Sequence, residues 1–134
     1  MIFNLIIIPI VSYLIGTIPF SLIFSKIFYK KDPGKEGSRN YGALNSYEIT
    51  NNKLIGLLVL LFDALKGVAT VFFSYYIIFP SLFYVLISII FVVLGHDFNI
   101  FLKFKGGRGL ATSLGALLCF NPLLVIIWCC IWFL

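Results

Sequence analysis

Charge is what this chain is short of. Of its 134 residues, 11% are Asp, Glu, Lys or Arg, against about 25% in a soluble globular domain. There are only five acidic residues and one histidine, while 61% of the chain is hydrophobic and its mean hydropathy is +1.08. That balance excludes an ordinary soluble domain. Residues 2–25, 67–95 and 109–134 carry no charge at all. Each run exceeds the roughly 20 apolar residues that an α-helix needs to cross a hydrocarbon core of about 30 Å. Cysteine is also scarce. Cys119, Cys129 and Cys130 lie together in the last apolar run, an odd number without a CxxC or Cys/His spacing. That argues against a disulfide framework and suggests no metal site, and packing is the expected role. No Lys or Arg precedes Lys26, and no small-x-small cleavage site follows the first apolar run. The N-terminal segment therefore reads as a retained helix rather than a cleaved signal peptide.

The few charges present are unevenly placed. Lys26, Lys30, Lys31, Lys35, Arg39 and Lys53 fall in or beside a first polar loop, about 26–53, and Lys103, Lys105 and Arg108 in a second, about 102–109. Only Lys66 lies elsewhere. The positive-inside rule makes both loops cytoplasmic and puts the N-terminus outside. Two spans must then separate the loops, and Pro80 supplies the turn between them. Residues 54–79 reach about 39 Å as a helix, and residues 82–102 return. Asn121-Pro122 either kinks one long helix or turns a short one into a further span. The expected fold is an all-α integral membrane protein, a single domain over 1–134 with about four to five membrane segments in a polytopic bundle. The chain is still apolar at its end, so it reads as C-terminally truncated.

Both loops have the composition of an anion site. In the first, Gly34, Gly37 and Gly42 let main-chain N–H groups approach a ligand closely. Ser38, Asn40 and Asn45 add neutral donors there, and Lys35 and Arg39 add charge. Ordinary inside-facing lysines explain Lys30 and Lys31 but not the crowding of Gly, Ser and Asn into residues 37–45. In the second, Gly106, Gly107 and Gly109 lead straight into an apolar helix whose N-terminus presents unpaired N–H groups and a positive dipole end. Lys105 and Arg108 stand beside it. Anchoring to anionic headgroups would account for the basic residues but not for the glycines. The GxxxxGK[ST] spacing is missing, so nucleotide hydrolysis is not indicated. Within the membrane, Asp63 and Lys66 sit three apart on one helical face as a structural or functional pair. His96 is placed to act as acid or base, to orient a neighbour, or to satisfy a backbone group. Pro9, Gly16 and Pro19 make the first helix irregular.

Five stretches carry a family resemblance: SYLIGTIPF at 12–20, GSRNYGALN at 37–45, DALKG at 63–67, LGH at 94–96 and FKGGRGLAT at 104–112. In this order they resemble the bacterial acyl-phosphate:glycerol-3-phosphate acyltransferase family (PlsY). The resemblance implies transfer of a fatty acyl group from acyl phosphate to the 1-hydroxyl of glycerol 3-phosphate in the bacterial cytoplasmic membrane, giving lysophosphatidic acid and phosphate. Acyl phosphate is already activated, so positioning and charge stabilisation suffice and no covalent nucleophile is required. The resemblance implies catalytic roles for Ser38, Lys105 and Arg108, with His96 as a further candidate. It implies substrate or phosphate binding by Gly37, Ser38, Arg39, Asn40, Gly42, Asn45, Lys105, Gly106, Gly107, Arg108, Gly109 and Thr112. The implied partners are the two phosphate-bearing substrates and the lipid bilayer, with no cofactor, metal or nucleic acid. The family usually has Gly at Arg39, Arg at Glu48 and Lys at Arg108. Arg39 is expected to replace in space the cation lost at Glu48. A third family motif, with His and Asn after the next span, is missing from this sequence, which is expected to end too early to include it. The competing readings are an inactive or truncated relative and a small membrane transporter or scaffold, which would place its polar residues near the midplane.

Overall fold

A computed structural model of the chain describes residues 2–78 and 80–133, with the backbone alone at 132 and 133. Among the described residues the structure is entirely helical and loop. Helices α1 (Ile2–Gly16) and α2 (Phe20–Tyr29) form one apolar stretch broken at Thr17 to Pro19. Proline has no N–H to continue a helical ladder and disfavours helical geometry in the residue before it, so the break falls where Pro19 dictates. A short helix α3 (Ala43–Thr50) follows the first loop. Helix α4 (Lys53–Phe72) starts where the Asn52 side chain accepts from the Leu54 N–H at 2.8 Å, and it continues as a π-helical segment, Phe73–Ile78. The expected end of this span at Phe79 lies outside the described residues. Helix α5 (Leu82–Asp97) returns, and helices α6 (Leu110–Phe120) and α7 (Pro122–Phe133) complete the bundle. Asn121, in extended backbone, separates the last two, and its side chain accepts from the Leu123 N–H, so Asn121-Pro122 ends one helix and caps the next.

Three stretches are long and apolar enough to cross a membrane: Ile2–Tyr29, Lys53–Ile78 and Leu82–Leu102. Leu110–Phe120 and Pro122–Ile131 are shorter apolar helices. The chain is thus an all-α integral membrane bundle.

Its interior is the reverse of a soluble core. Ile2, Phe3, Leu57, Leu65, Ile90 and Ile126 are exposed, while Ser12, Ser21, Ser25, Thr70, Ser88 and Thr112 are buried. In lipid there is no hydrophobic reward for burying leucine, so small residues that let backbones approach hold the interfaces. Several buried hydroxyls return their proton to the helix itself, as Thr70 does to Lys66 O at 2.8 Å and Ser88 to Val85 O at 2.7 Å. Helix α4 packs most extensively on α6, and α1 on α5. At the first crossing, a Cβ on Gly67 would meet the Thr112 carbonyl and one on Gly115 the Ala64 carbonyl. At the second, Gly16 lies against the Val92 carbonyl and Gly95 against the Tyr13 carbonyl.

Candidate active site

The break between α1 and α2 leaves carbonyls that no helical ladder satisfies. Gly16 O and Ile18 O accept from Lys66 Nζ at 3.0 and 3.2 Å, and Thr17 O accepts from the Asn99 side chain at 2.6 Å. Lys66 Nζ also lies 2.9 Å from the Asp63 carboxylate and 2.7 Å from His96 Nδ1. The paired charges on α4 therefore bind three elements together beneath the loops.

The first loop is shaped by its own polar groups. Asp32 Oδ1 accepts from the Gly34 N–H, and Gly37 and Arg39 both adopt positive φ, 59° each. Asn45, fully buried on α3, then closes the loop from within. Its Oδ1 accepts from the Ser38 N–H at 2.9 Å, and its amide donates to the carbonyls of Pro33, Asn40 and Glu36. Loop backbone thus occupies both ends of the Asn45 amide, and Asn45 also lines the cavity described below, where a substrate contact is expected of it. Tyr41 joins this loop to the second one, its N–H donating to Gly106 O at 3.2 Å. Burial, and then the Asp32 carboxylate beside it, push the Tyr41 phenol above its ordinary pKa, so it stays neutral.

In the second loop, Asn99 takes the Phe101 N–H on its side chain and the Leu102 and Phe104 N–H groups on its carbonyl. Gly107 N–H donates to His96 O at 3.1 Å. A Cβ at Gly106 would collide with the backbone carbonyls of His96 and Asp97, and one at Gly107 with the His96 ring. These two glycines thus serve close packing on the end of α5. Gly109, at φ 66°, opens α6 without a side-chain cap, and Gly42 opens α3 likewise.

Between the loops lies a cavity of about 330 Å³. Ser38, Asn40, Gly42 and Glu48 line it from the first loop and α3, and Arg108, Leu110 and Ala111 from the second loop and α6. Asp63 and His96 form part of the same lining. Two uncapped helix N-termini and a guanidinium therefore converge on one space, which is the electrostatic setting of an anion site. Of the residues expected to bind, Gly37, Arg39, Lys105, Gly106, Gly107, Gly109 and Thr112 are not among those lining it. Thr112 is fully buried, with its carbonyl against Gly67 at the α4–α6 crossing. Glu48 lines the cavity, whereas Arg39, expected to replace a cation there, is exposed and not among the lining residues.

The sequence model described as glycerol-3-phosphate acyltransferase matches residues 6–134. The chain belongs to this family. A glycerol-3-phosphate acyltransferase of Staphylococcus haemolyticus (strain JCSC1435) is 43% identical over 133 residues, covering 92% of this chain and 64% of its own length. One from Pelagibacter ubique (strain HTCC1062) is 43% identical over 126 residues, covering 94% and 64%. The crystal structure of PlsY, an integral membrane glycerol 3-phosphate acyltransferase, in its glycerol 3-phosphate form superposes with a TM-score of 0.82 at 30% identity, over 95% of this chain and 62% of that one. Its lysophosphatidic acid form gives 0.74 at 31% identity, over 90% and 59%. The chain thus spans a little under two thirds of the acyltransferases it matches. Around this cavity, sequence reading missed that Asp63 reaches the wall and that Lys66 satisfies the broken first span. The proline break at 19 was the available signal, since it announces carbonyls in need of a donor.

Proposed function

We propose that the chain forms the acyl-transfer site of a membrane enzyme that moves a fatty acyl group from acyl phosphate to the 1-hydroxyl of glycerol 3-phosphate. The observation that carries this reading is the single cavity shared by Ser38, Asn40 and Arg108 between two helix N-termini. Two phosphate-bearing molecules repel each other, and fixed dipoles with a forked cation offset that repulsion where the reacting atoms meet. Arg108 and the first turn of α6 grip one phosphate. Ser38, Asn40 and the first turn of α3 serve the ligand from the opposite wall. The hydroxyl oxygen attacks the acyl carbonyl, the carbonyl–phosphate bond breaks, and the departing phosphate takes the hydroxyl proton. The products are lysophosphatidic acid and inorganic phosphate. Lys105, exposed beside the cavity, adds charge that guides anions towards it. Both loops face the cytoplasm in this reading, on the strength of nine basic residues in or beside them.

The test is the protein reconstituted in liposomes with acyl phosphate and glycerol 3-phosphate. Lysophosphatidic acid and phosphate are expected in equal amounts, and Arg108→Ala should lower kcat/KM by about a hundredfold, the loss of a charged hydrogen-bonding pair. Phosphate release without lysophosphatidic acid would mean hydrolysis rather than transfer and would end this reading.

A further inference from the structure

His96 is the chain's one histidine, 8% exposed at the end of α5. Its protonation pattern is set by what surrounds Lys66. The lysine nitrogen has the Gly16 and Ile18 carbonyls at 3.0 and 3.2 Å, the Asp63 carboxylate at 2.9 Å and His96 Nδ1 at 2.7 Å. Carbonyls only accept, and a carboxylate buried in a membrane bundle needs a cation beside it. The nitrogen is therefore an ammonium: its three hydrogens serve the two carbonyls and Nδ1, and the Asp63 carboxylate beside it balances the charge. An imidazole nitrogen that faces an ammonium must offer its lone pair, so the ring proton sits on the other nitrogen, Nε2. No described residue takes a hydrogen bond from Nε2. It lies against Gly107, where a Cβ would occupy the same space, and His96 lines the cavity. A donor on the wall of a cavity, with no acceptor among the described residues, is open to a ligand there.

We propose that His96 donates through Nε2–H to a phosphate oxygen of the ligand in this cavity, and that Lys66 is the positioning residue that holds the ring in the donating tautomer. The identity of the ligand as a phosphate-bearing substrate rests on the acyl-transfer reading; the direction of the donor does not. One consequence is that His96 is not the base for the attacking hydroxyl, since Nδ1 is occupied and Nε2 already carries its proton. A second is a reason for glycine at 107, which leaves Nε2 uncovered.

Because there is a single imidazole, a protein labelled with nitrogen-15 histidine gives one pair of ring signals, and the tautomer is read directly. The expected spectrum has the proton on Nε2. Inorganic phosphate, glycerol 3-phosphate and a non-hydrolysable long-chain acyl phosphonate are then added separately. A shift at Nε2 with glycerol 3-phosphate assigns the donor to the acyl acceptor, and one with the phosphonate assigns it to the acyl donor; either supports the proposal. A proton on Nδ1, or an Nε2 silent to all three anions, overturns it. Lys66→Met should let the Nδ1–H tautomer appear, and an unchanged tautomer there removes the role of Lys66. If that variant does not fold, Lys66→Arg, which keeps a cationic donor, should retain the Nε2–H form. Kinetics provide a second arm. His96→Gln retains an N–H near the position of Nε2, whereas His96→Asn retains only a partner for Lys66. The Asn variant should raise the KM of the affected substrate about tenfold and the Gln variant much less; equal KM values in both overturn the proposal. Normal acyl transfer with a silent Nε2 would sink this inference alone, and an Nε2 that responds to phosphate in a protein making no lysophosphatidic acid would sink the acyl-transfer reading alone.

Discussion

Asn45 and Glu48 sit three residues apart on α3 and do opposite things to the site. Asn45 holds the first loop in shape through four hydrogen bonds to its backbone, and so fixes where Ser38 stands. Asn45→Ala leaves buried loop carbonyls unpaired, each worth about 1–3 kcal/mol. The expected result is a fall in kcat/KM of ten- to a hundredfold together with a lower melting temperature. Loss of melting temperature alone would show that Ser38 does not depend on the loop. Glu48 instead brings a negative charge to the wall of a cavity that the proposed reaction fills with phosphate. Glu48→Gln should lower the KM for glycerol 3-phosphate about two- to fivefold, the effect of about 0.5–1 kcal/mol of repulsion across a solvated wall, and the gain should shrink at high salt. Arg39→Ala should change the same KM less than about twofold, because Arg39 is exposed to solvent and is not among the residues lining this wall. A strong effect at Arg39 with none at Glu48 would reverse both assignments.

At the scale of helices, the decisive contacts are those between backbones. Helix α4 approaches α6 so closely that Gly115 has the Ala64 carbonyl where a Cβ would be. Gly115→Val should sharply reduce the folded yield, while Leu118→Val, on the exposed side of the same helix, should leave it unchanged. Equal yields would mean that the α4–α6 crossing does not hold the bundle together. The helices themselves were legible in the sequence, because uncharged runs and prolines at 19, 80 and 122 mark spans and breaks directly. What fills the breaks was not. Lys66 meets Gly16 O across 50 residues of sequence, and no periodicity reports such a meeting. The shape of the first loop was equally hidden, since it depends on Arg39 adopting a left-handed backbone that a side chain larger than glycine rarely takes. Residue types in the two loops pointed to an anion site, yet they did not separate residues on the wall from those behind it. Asn45 both lines the cavity and fastens the first loop, while Gly106, Gly107 and Thr112 lie in close packing behind it.

For the molecule as a whole, the contact between Tyr41 and Gly106 requires both basic loops on one side, with α4 and α5 as the two spans between them. The proposed cytoplasmic placement adds which side that is. Single cysteines introduced as Lys35→Cys and Lys103→Cys, in a chain whose three native cysteines are replaced by serine, test it. Both should resist a membrane-impermeant maleimide in intact cells and react after permeabilisation. Labelling of either in intact cells would reverse the topology.

The carbonyls exposed by the proline break also bear on how the chain is made. Asp63 and Lys66 belong to α4, and each charge placed alone at the middle of a membrane helix costs about 2.5–3.5 kcal/mol on an insertion scale. Helices α1 and α2 are synthesised first and already offer the Gly16 and Ile18 oxygens that Lys66 takes. His96 emerges later, with α5. The acceptors are thus in the bilayer before the donor arrives, and α4 has a berth beside the first span from the moment it leaves the translocation machinery.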